Sequence, residues 1–566
     1  MSTAPHPHSG ESAVLSNGAP HHGKTLATEP CRMCEKAGVP CEYRHVDKKR
    51  KPASQDHLDL LQNRVAWLEE FIIDLQQSSP SEISSKLRSA SFISSSPRAG
   101  SSVSRQSPAA SSTPRRATNF HVTSDGSLSF HGPTSIYQVM FDGQERPGGA
   151  IREAASPVGA FKNADHVLRH FDIDIDDKRI MQALVIFFKW QYPNFMFIYR
   201  DAFLRDHFTK RQDSKYWSVS LLLSICALGT LMLPASEQDD FGLRCHDAAE
   251  TIAMVTDLVN PSITAVQTFL CLAFYEIGAG RLSKGWSFSG IAFRMAQDLG
   301  FQKDSKLWVA PDHSVNTREH FEIRRRIYWG CYISDKLISL IFGRPVQLIY
   351  SEAEVYELET LPDPPFILPW RSVGFDDDTA NQHADISMIP YISEQIKLAR
   401  IWERMLSLMS SSPNQIHMSV QQQNLNSLNH DLLDWRTRLP EWAVFTVWDP
   451  IDKPLKPSIA ALHLLYNSAR IALNFDEATS PDTDNSSTRA REACVQAATE
   501  THSILRRFRN QHGLRNSPLI IVYGVIQAIR TLKAFGTPEE LNSLMEAISE
   551  IAVTWPLANI VMHQGP

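Results

Sequence analysis

From about residue 166 onward the chain runs as long segments in which apolar positions recur every three or four residues, separated by short polar breaks. In WSFSGIAFRMAQDLGF, residues Phe288, Ala292, Met295 and Leu299 fall at intervals of 4, 3 and 4. That spacing puts them on one face of a helix, and Gly300 follows as a C-terminal stop. In RRRIYWGCYISDKLISLIFGRP, Ile327, Cys331, Ile338 and Ile341 form a second stripe, closed by Gly343 and Pro345. TAVQTFLCLAFYEIG, NSARIALNF and PLIIVYGVIQAIRTLKAF read in the same way. Alternating strand patterns with turn dipeptides are scarce, and no fixed period marks a solenoid. The pattern predicts an all-α body over residues 166–562. Its most apolar run, Val219 to Leu233, is shorter than the roughly 20 residues that span a bilayer and ends at Pro234. It predicts a buried helix, with no membrane as partner.

The N-terminal third reads differently. Residues 1–28 are rich in His, Ser, Gly and Pro without hydrophobic periodicity, which predicts disorder. Within 57–77, Leu58, Leu61, Val65, Leu68, Ile72 and Leu75 recur at intervals of 3, 4, 3, 4 and 3, the a/d seam of a coiled coil. Fewer than three heptads is marginal for an isolated helix, so this one needs a partner chain or neighbouring segments; docking on the main body is the alternative. Residues 78–165 are dominated by Ser, Pro, Arg and Gly and read as a disordered linker, with an island at 126–135 that is a candidate for docking on the body. Ser96-Pro97, Ser107-Pro108 and Thr113-Pro114 are candidate phosphorylation sites beside arginines.

Composition narrows the function classes. With 43% hydrophobic and 21% charged residues and a formal net charge of −6, the chain as a whole is not a basic nucleic-acid binder, so any basic surface is local. The cysteines beyond residue 200 are far apart in apolar surroundings and read as reduced core residues. No enzyme motif survives inspection. GRLSKGWS from Gly280 has phosphate-loop glycine spacing, but Trp286 stands where the lysine belongs. DIDIDD from Asp172 imitates a calcium loop, but Asp177 replaces its glycine and Ala183 its bidentate acid, which leaves a solvated acidic lead-in to a helix. Asp335 sits in an apolar helix and should be paired if buried, with Arg294 and Arg344 as candidate partners. The aromatic run at 187–203 reads as packed core broken at Pro193.

One segment carries metal chemistry. EPCRMCEKAGVPCEYRHVDKKRKP, residues 29–52, places Cys31, Cys34 and Cys41 at chelating spacing. A closed zinc site takes four ligands. Either one is missing, or His45 at Cys41-x3-His45 supplies it, or the segment is part of a larger cluster. Between residues 31 and 51, Arg32, Lys36, Arg44, Lys48, Lys49, Arg50 and Lys51 face only Glu35, Glu42 and Asp47, a local excess of +4. Such charge on a metal-organised backbone suits DNA phosphate contact, and Lys48 to Lys51 also read as a nuclear import signal.

Together these residues resemble a fungal binuclear zinc-cluster transcription factor. PCRMCEKAGVPCEY is similar to the second half of that family's six-cysteine, two-zinc cluster. The resemblance makes Cys31 the bridging thiolate of that half and Cys34 and Cys41 its terminal ligands. It implies a nuclear regulator of RNA polymerase II transcription that binds DNA and the transcription machinery, with 58–75 as its homodimer or heterodimer helix and the helical body as its regulatory domain. VQTFLCLAFYEIGAGRLSKGWSFSGIAFRMAQDLGF and RRRIYWGCYISDKLISLIFGRP carry the likeness most specifically. FKWQYPNFMFIYRDAFLRDHF resembles the nitrate-assimilation regulators of filamentous fungi.

The chain departs from that pattern at one place: residues 1–30 contain no cysteine, so the first half of the cluster and its base-reading basic residues are missing. Three expectations follow. The first half is encoded upstream of the recorded start; or the chain is a regulator without specific DNA binding that pairs with a complete partner; or Cys31, Cys34, Cys41 and His45 make a mononuclear zinc site. Phosphate contacts alone position a protein without reading sequence, so the second and third imply impaired DNA recognition.

Overall fold

The computed structural model describes residues 120–122, 128–130 and 157–559, apart from 195–196, 210, 235–238, 304–317, 356–387, 411–417, 451–452 and 482–484. All of these belong to the compact unit Ser112–Pro566. The α-helices are α1 Pro157–His170, α2 Lys178–Ile186, α3 Arg200–Thr209, α4 Val219–Thr230, α5 Phe241–Ile252, α6 Ile263–Gly278, α7 Leu282–Asp298, α8 Arg318–Phe342, α9 Met388–Met409, α10 Met418–Thr437, α11 Pro457–Ala478, α12 Asn485–His512, α13 Leu519–Phe535 and α14 Pro538–Ile551. The body is all-α, as the periodicity predicts. No described helix is long and apolar enough to cross a membrane.

Helix starts follow local chemistry. Asp177, Ser218, Ser262 and Thr537 each accept a hydrogen bond from a backbone amide of the first turn of α2, α4, α6 and α14. The DIDIDD run is therefore a helix lead-in, with Asp177 as its cap. At the end of α7, Gly300 adopts φ +68°, its amide bonds to Gln297 O at 3.0 Å and the Phe301 amide bonds to Ala296 O at 3.0 Å. This double closure needs a left-handed residue, which explains why the stripe ends at a glycine.

An N-terminal group packs α2 on α4, α4 on α5 and α6, and α6 on α7; a C-terminal group packs α11, α12 and α13 together with α14 outside them. Helices α8, α9 and α10 lie between them in sequence, α9 packing on α8, α10 and α11. The two groups meet at Gly278 and Trp555. A Cβ at Gly278 would stand 2.3 Å from the indole, so only glycine lets Trp555 lie against α6. Trp555 is fully buried, and its Nε1 donates to Ser517 O at 2.8 Å. Phe288, Ala292, Met295 and Leu299 are buried, as are Ile327, Cys331 and Ile338, while Ile341 is half-buried. Cys226, Cys245, Cys271, Cys331 and Cys494 are buried free thiols. The aromatic run forms core, with Phe187, Phe188, Tyr192, Phe197 and Phe203 buried around a π-helical turn at Phe187–Gln191.

Two elements lie inside the stretch expected to be a disordered linker. Strands Phe120–Val122 and Leu128–Phe130 pair antiparallel with Phe120 opposite Phe130, and the second lies against α7. Phe120, Val122, Leu128 and Phe130 alternate with polar residues on either side of Asp125-Gly126, a short hairpin signal that the surrounding Ser/Pro bias obscures. Helix α1 begins at Pro157, upstream of the expected boundary at 166.

Candidate functional site

Helices α9 and α10 carry facing charged stripes. On α9, Glu394, Lys397, Ile401 and Arg404 recur every three or four residues, with Arg400 beside them; Asp431, Asp434 and Trp435 lie at the end of α10, with Arg438 just past it. With Tyr350 and Ser351 from the loop after α8, they line a cleft of about 620 Å³. Most of its charges are matched across short distances: Lys397 with Glu394 at 2.6 Å, Arg438 with Asp434 at 3.0 Å, and Arg404 with Asp431. Arg400 is different. Its guanidinium sits 4.0 Å from the centre of the Tyr350 ring, and among the described residues no carboxylate lies within 4.0 Å of it.

Beneath the cleft lies a buried ion network. Glu403 accepts from Tyr332 Oη at 2.8 Å and from the Tyr350 amide at 3.1 Å, and stands 3.6 Å from Lys336 Nζ. Lys336 is fully buried, pairs with Asp335 Oδ2 at 2.9 Å and donates to Leu348 O. Asp335 also accepts from the amides of Gln347 at 3.0 Å and Leu348 at 2.9 Å. Burial pushes the Asp335 carboxyl up; Lys336 and the two amides work against that shift. Desolvation, and then the bond to Glu403, push the Tyr332 hydroxyl far up, so it stays a donor. The network clamps the loop at 347–350 onto α8 and α9.

A second cluster lies on α5–α7. Glu276 is fully buried; His246 Nε2 and Lys284 Nζ stand 2.8 and 2.9 Å from its Oε1, off the line of a good hydrogen bond, and Arg281 Nε donates to Oε2. Burial pushes the Glu276 carboxyl up, but His246, Arg281 and Lys284 outweigh it and hold it at about 2. Ligand atoms of His246, Asp247 and Glu250 lie within 4.8 Å of one another, a spacing open to a metal ion. Lys284 already sits 2.6 Å from Glu250 Oε2, so an ammonium fills that role and the cluster is structural.

The residues that sequence chemistry singled out are Cys31, Cys34, Cys41, His45, Arg32, Lys36, Lys48, Lys49, Arg50 and Lys51, together with Leu58, Leu61, Val65, Leu68, Ile72 and Leu75. All lie outside the described residues. For Asp335 the expected partners are wrong: Arg294 is exposed, and Arg344 lies over the Trp286 and Phe342 rings at 4.7 and 4.9 Å. Its partners are the adjacent Lys336 and the two loop amides. The cleft escaped sequence reading, although the stripe Glu394, Lys397, Ile401, Arg404 was a usable signal.

The fungal specific transcription factor domain matches residues 184–437, from within α2 to the last residue of α10, and so contains most of the cleft. An uncharacterized transcriptional regulatory protein of Schizosaccharomyces pombe is 31% identical over 334 residues, covering 59% of this chain and 87% of that protein. The chain belongs to this family of fungal transcriptional regulators. Another uncharacterized transcriptional regulatory protein of Schizosaccharomyces pombe is 28% identical over 555 residues, 94% of this chain and 81% of its own length. The nitrogen assimilation transcription factor nit-4 of Neurospora crassa is 26% identical over 463 residues, 77% of this chain and 40% of its own. At the level of the family, these are regulators and not enzymes.

Proposed function

We propose that this protein is a nuclear regulator of RNA polymerase II transcription of the zinc-cluster type, with the helical body as its control unit. The observation that carries the reading is the order of parts. A cysteine segment with a basic tail and a short apolar seam precede a body that matches the fungal specific transcription factor domain over 184–437. Cys31, Cys34 and Cys41, with His45 as fourth ligand, hold one zinc. The metal organises the segment; tetrahedral structural zinc is worth about 10–16 kcal/mol in small peptides. Arg32, Lys36 and Lys48 to Lys51 then contact DNA phosphate or serve nuclear import, and Leu58 to Leu75 pair two chains, like or unlike.

A second reading rests on the apolar seam at Leu58 to Leu75: the protein modulates complete zinc-cluster regulators by pairing with them through it. The 26% identity to nit-4 and the segment at 188–208 support a place near the nitrogen-assimilation regulators. The 28% identical fission-yeast relative matches over more of both chains than nit-4 does, so the proposal stops short of target genes.

Metal analysis of the full-length chain tests the site. One tightly held zinc per chain, lost on His45→Ala and on Cys34→Ser, supports the mononuclear site; no tight zinc contradicts it. Gel-shift binding with a sharp preference for paired base triplets favours direct DNA reading over the pairing role, and binding indifferent to sequence favours the reverse.

A further inference from the structure

We propose that the cleft between the loop at 350–351, α9 and α10 binds a small organic anion, a carboxylate or a phosphate ester carried on a flat apolar body, through Arg400. The argument is one of matched and unmatched charge. Lys397, Arg404 and Arg438 each spend their charge on a carboxylate of the same cleft. Glu403, on the same helix as Arg400, is occupied from behind by Tyr332, the Tyr350 amide and Lys336. Among the described residues, Arg400 is thus the cleft cation whose contact is an aromatic ring, Tyr350, at 4.0 Å, and not a carboxylate.

A guanidinium backed by an aromatic face is weakly hydrated, and its fork of N–H donors matches a carboxylate or phosphate with two parallel bonds. Ile401 and Trp435, both nearly buried, give the cleft apolar wall beside those donors. The space, about 620 Å³, is of the size that small-molecule sites use. Tyr350 also belongs to the loop that Asp335, Lys336 and Glu403 clamp, so an anion drawn onto Arg400 presses on the element that joins α8 to α9. This inference does not depend on how the cysteine segment binds metal or DNA.

Isothermal titration calorimetry of the full chain tests it, with benzoate and phenyl phosphate as ring-bearing anions and inorganic phosphate as the anion without a body. The expected result is saturable binding of at least one ring-bearing anion, weakened about tenfold or more by Arg400→Gln, the loss of one charge-assisted pair. Tyr350→Leu should weaken it as well, while Lys397→Gln, whose charge is already matched, should change it far less. Preference for benzoate assigns a carboxylate ligand, and preference for phenyl phosphate assigns a phosphate ester. Arg400 is exposed and makes no ion pair among the described residues, so Arg400→Gln should stay close to the wild-type melting temperature. No saturation by either ring-bearing anion up to about 10 mM, the weak end of specific affinity, would overturn the proposal. So would binding untouched by Arg400→Gln, or inorganic phosphate binding as well as the larger anions.

Discussion

Asp335 and Lys336, neighbours on α8, form an ion pair of 2.9 Å in which neither side chain is more than 1% exposed. Neighbouring positions on a helix point in different directions. The pair exists because Lys336 turns its ammonium over the Tyr332 ring, Nζ 4.0 Å from its centre, where it donates to Leu348 O beside the carboxylate.

Removing one partner of such a pair strands the other. Asp335→Ala leaves a buried ammonium and two loop amides without their acceptor, and should cost about 3–5 kcal/mol. Urea denaturation of the full chain measures this. Replacing both residues by apolar ones of similar size should recover part of the loss, whereas equal damage from the single and double changes would show that the pair is not the source.

That pair marks what the sequence could and could not show. The stripes of α7 and α8 were readable because core contact imposes a three-to-four period and because Gly300 and Gly343, at φ +68° and +60°, end them. The partner of Asp335 was not readable from cations elsewhere in the apolar segments: the loop at 345–350 folds back over α8 and supplies the amides, a tertiary event. The cleft needs three elements separated by up to 88 positions, from Tyr350 to Arg438, and no local pattern reports that meeting. The hairpin at 120–130 was hidden by its Ser/Pro-rich surroundings.

Glu276 gives the body an acid limit. Its carboxyl is held at about 2, below its ordinary value of 4.5, so the folded state prefers the charged form. The stabilisation is fully present above 4.5 and is lost as pH falls from there through 2. At neutral pH Glu276→Gln should be less stable than wild type by about 3 kcal/mol, and the gap should close between pH 4.5 and 2. Denaturant melts at pH 7, 4 and 2.5 check it; a gap independent of pH would assign the loss to packing.

Gly278 and Trp555 should behave as one unit. Gly278→Ala forces a methyl onto the indole and should cost about 1–3 kcal/mol as overpacking. In a Trp555→Ala background, itself destabilised by about 3–5 kcal/mol, the added cost of Gly278→Ala should nearly vanish. Additive costs in the double-mutant cycle would mean that the two groups do not touch.

The seam at 58–75 is tested by charge. Leu61→Glu with Leu68→Glu should convert a dimeric full-length chain to monomer in analytical ultracentrifugation, because two carboxylates cannot be buried at a and d positions. A dimer that survives both changes places the pairing surface elsewhere.

The most direct measurement of the central claim is chromatin immunoprecipitation of the full-length chain tagged at its own locus, read together with transcript levels after its deletion. A regulator of transcription predicts discrete enrichment at promoters and altered transcripts from the adjoining genes. Enrichment no greater than in an untagged strain, with transcripts unchanged, would contradict the account.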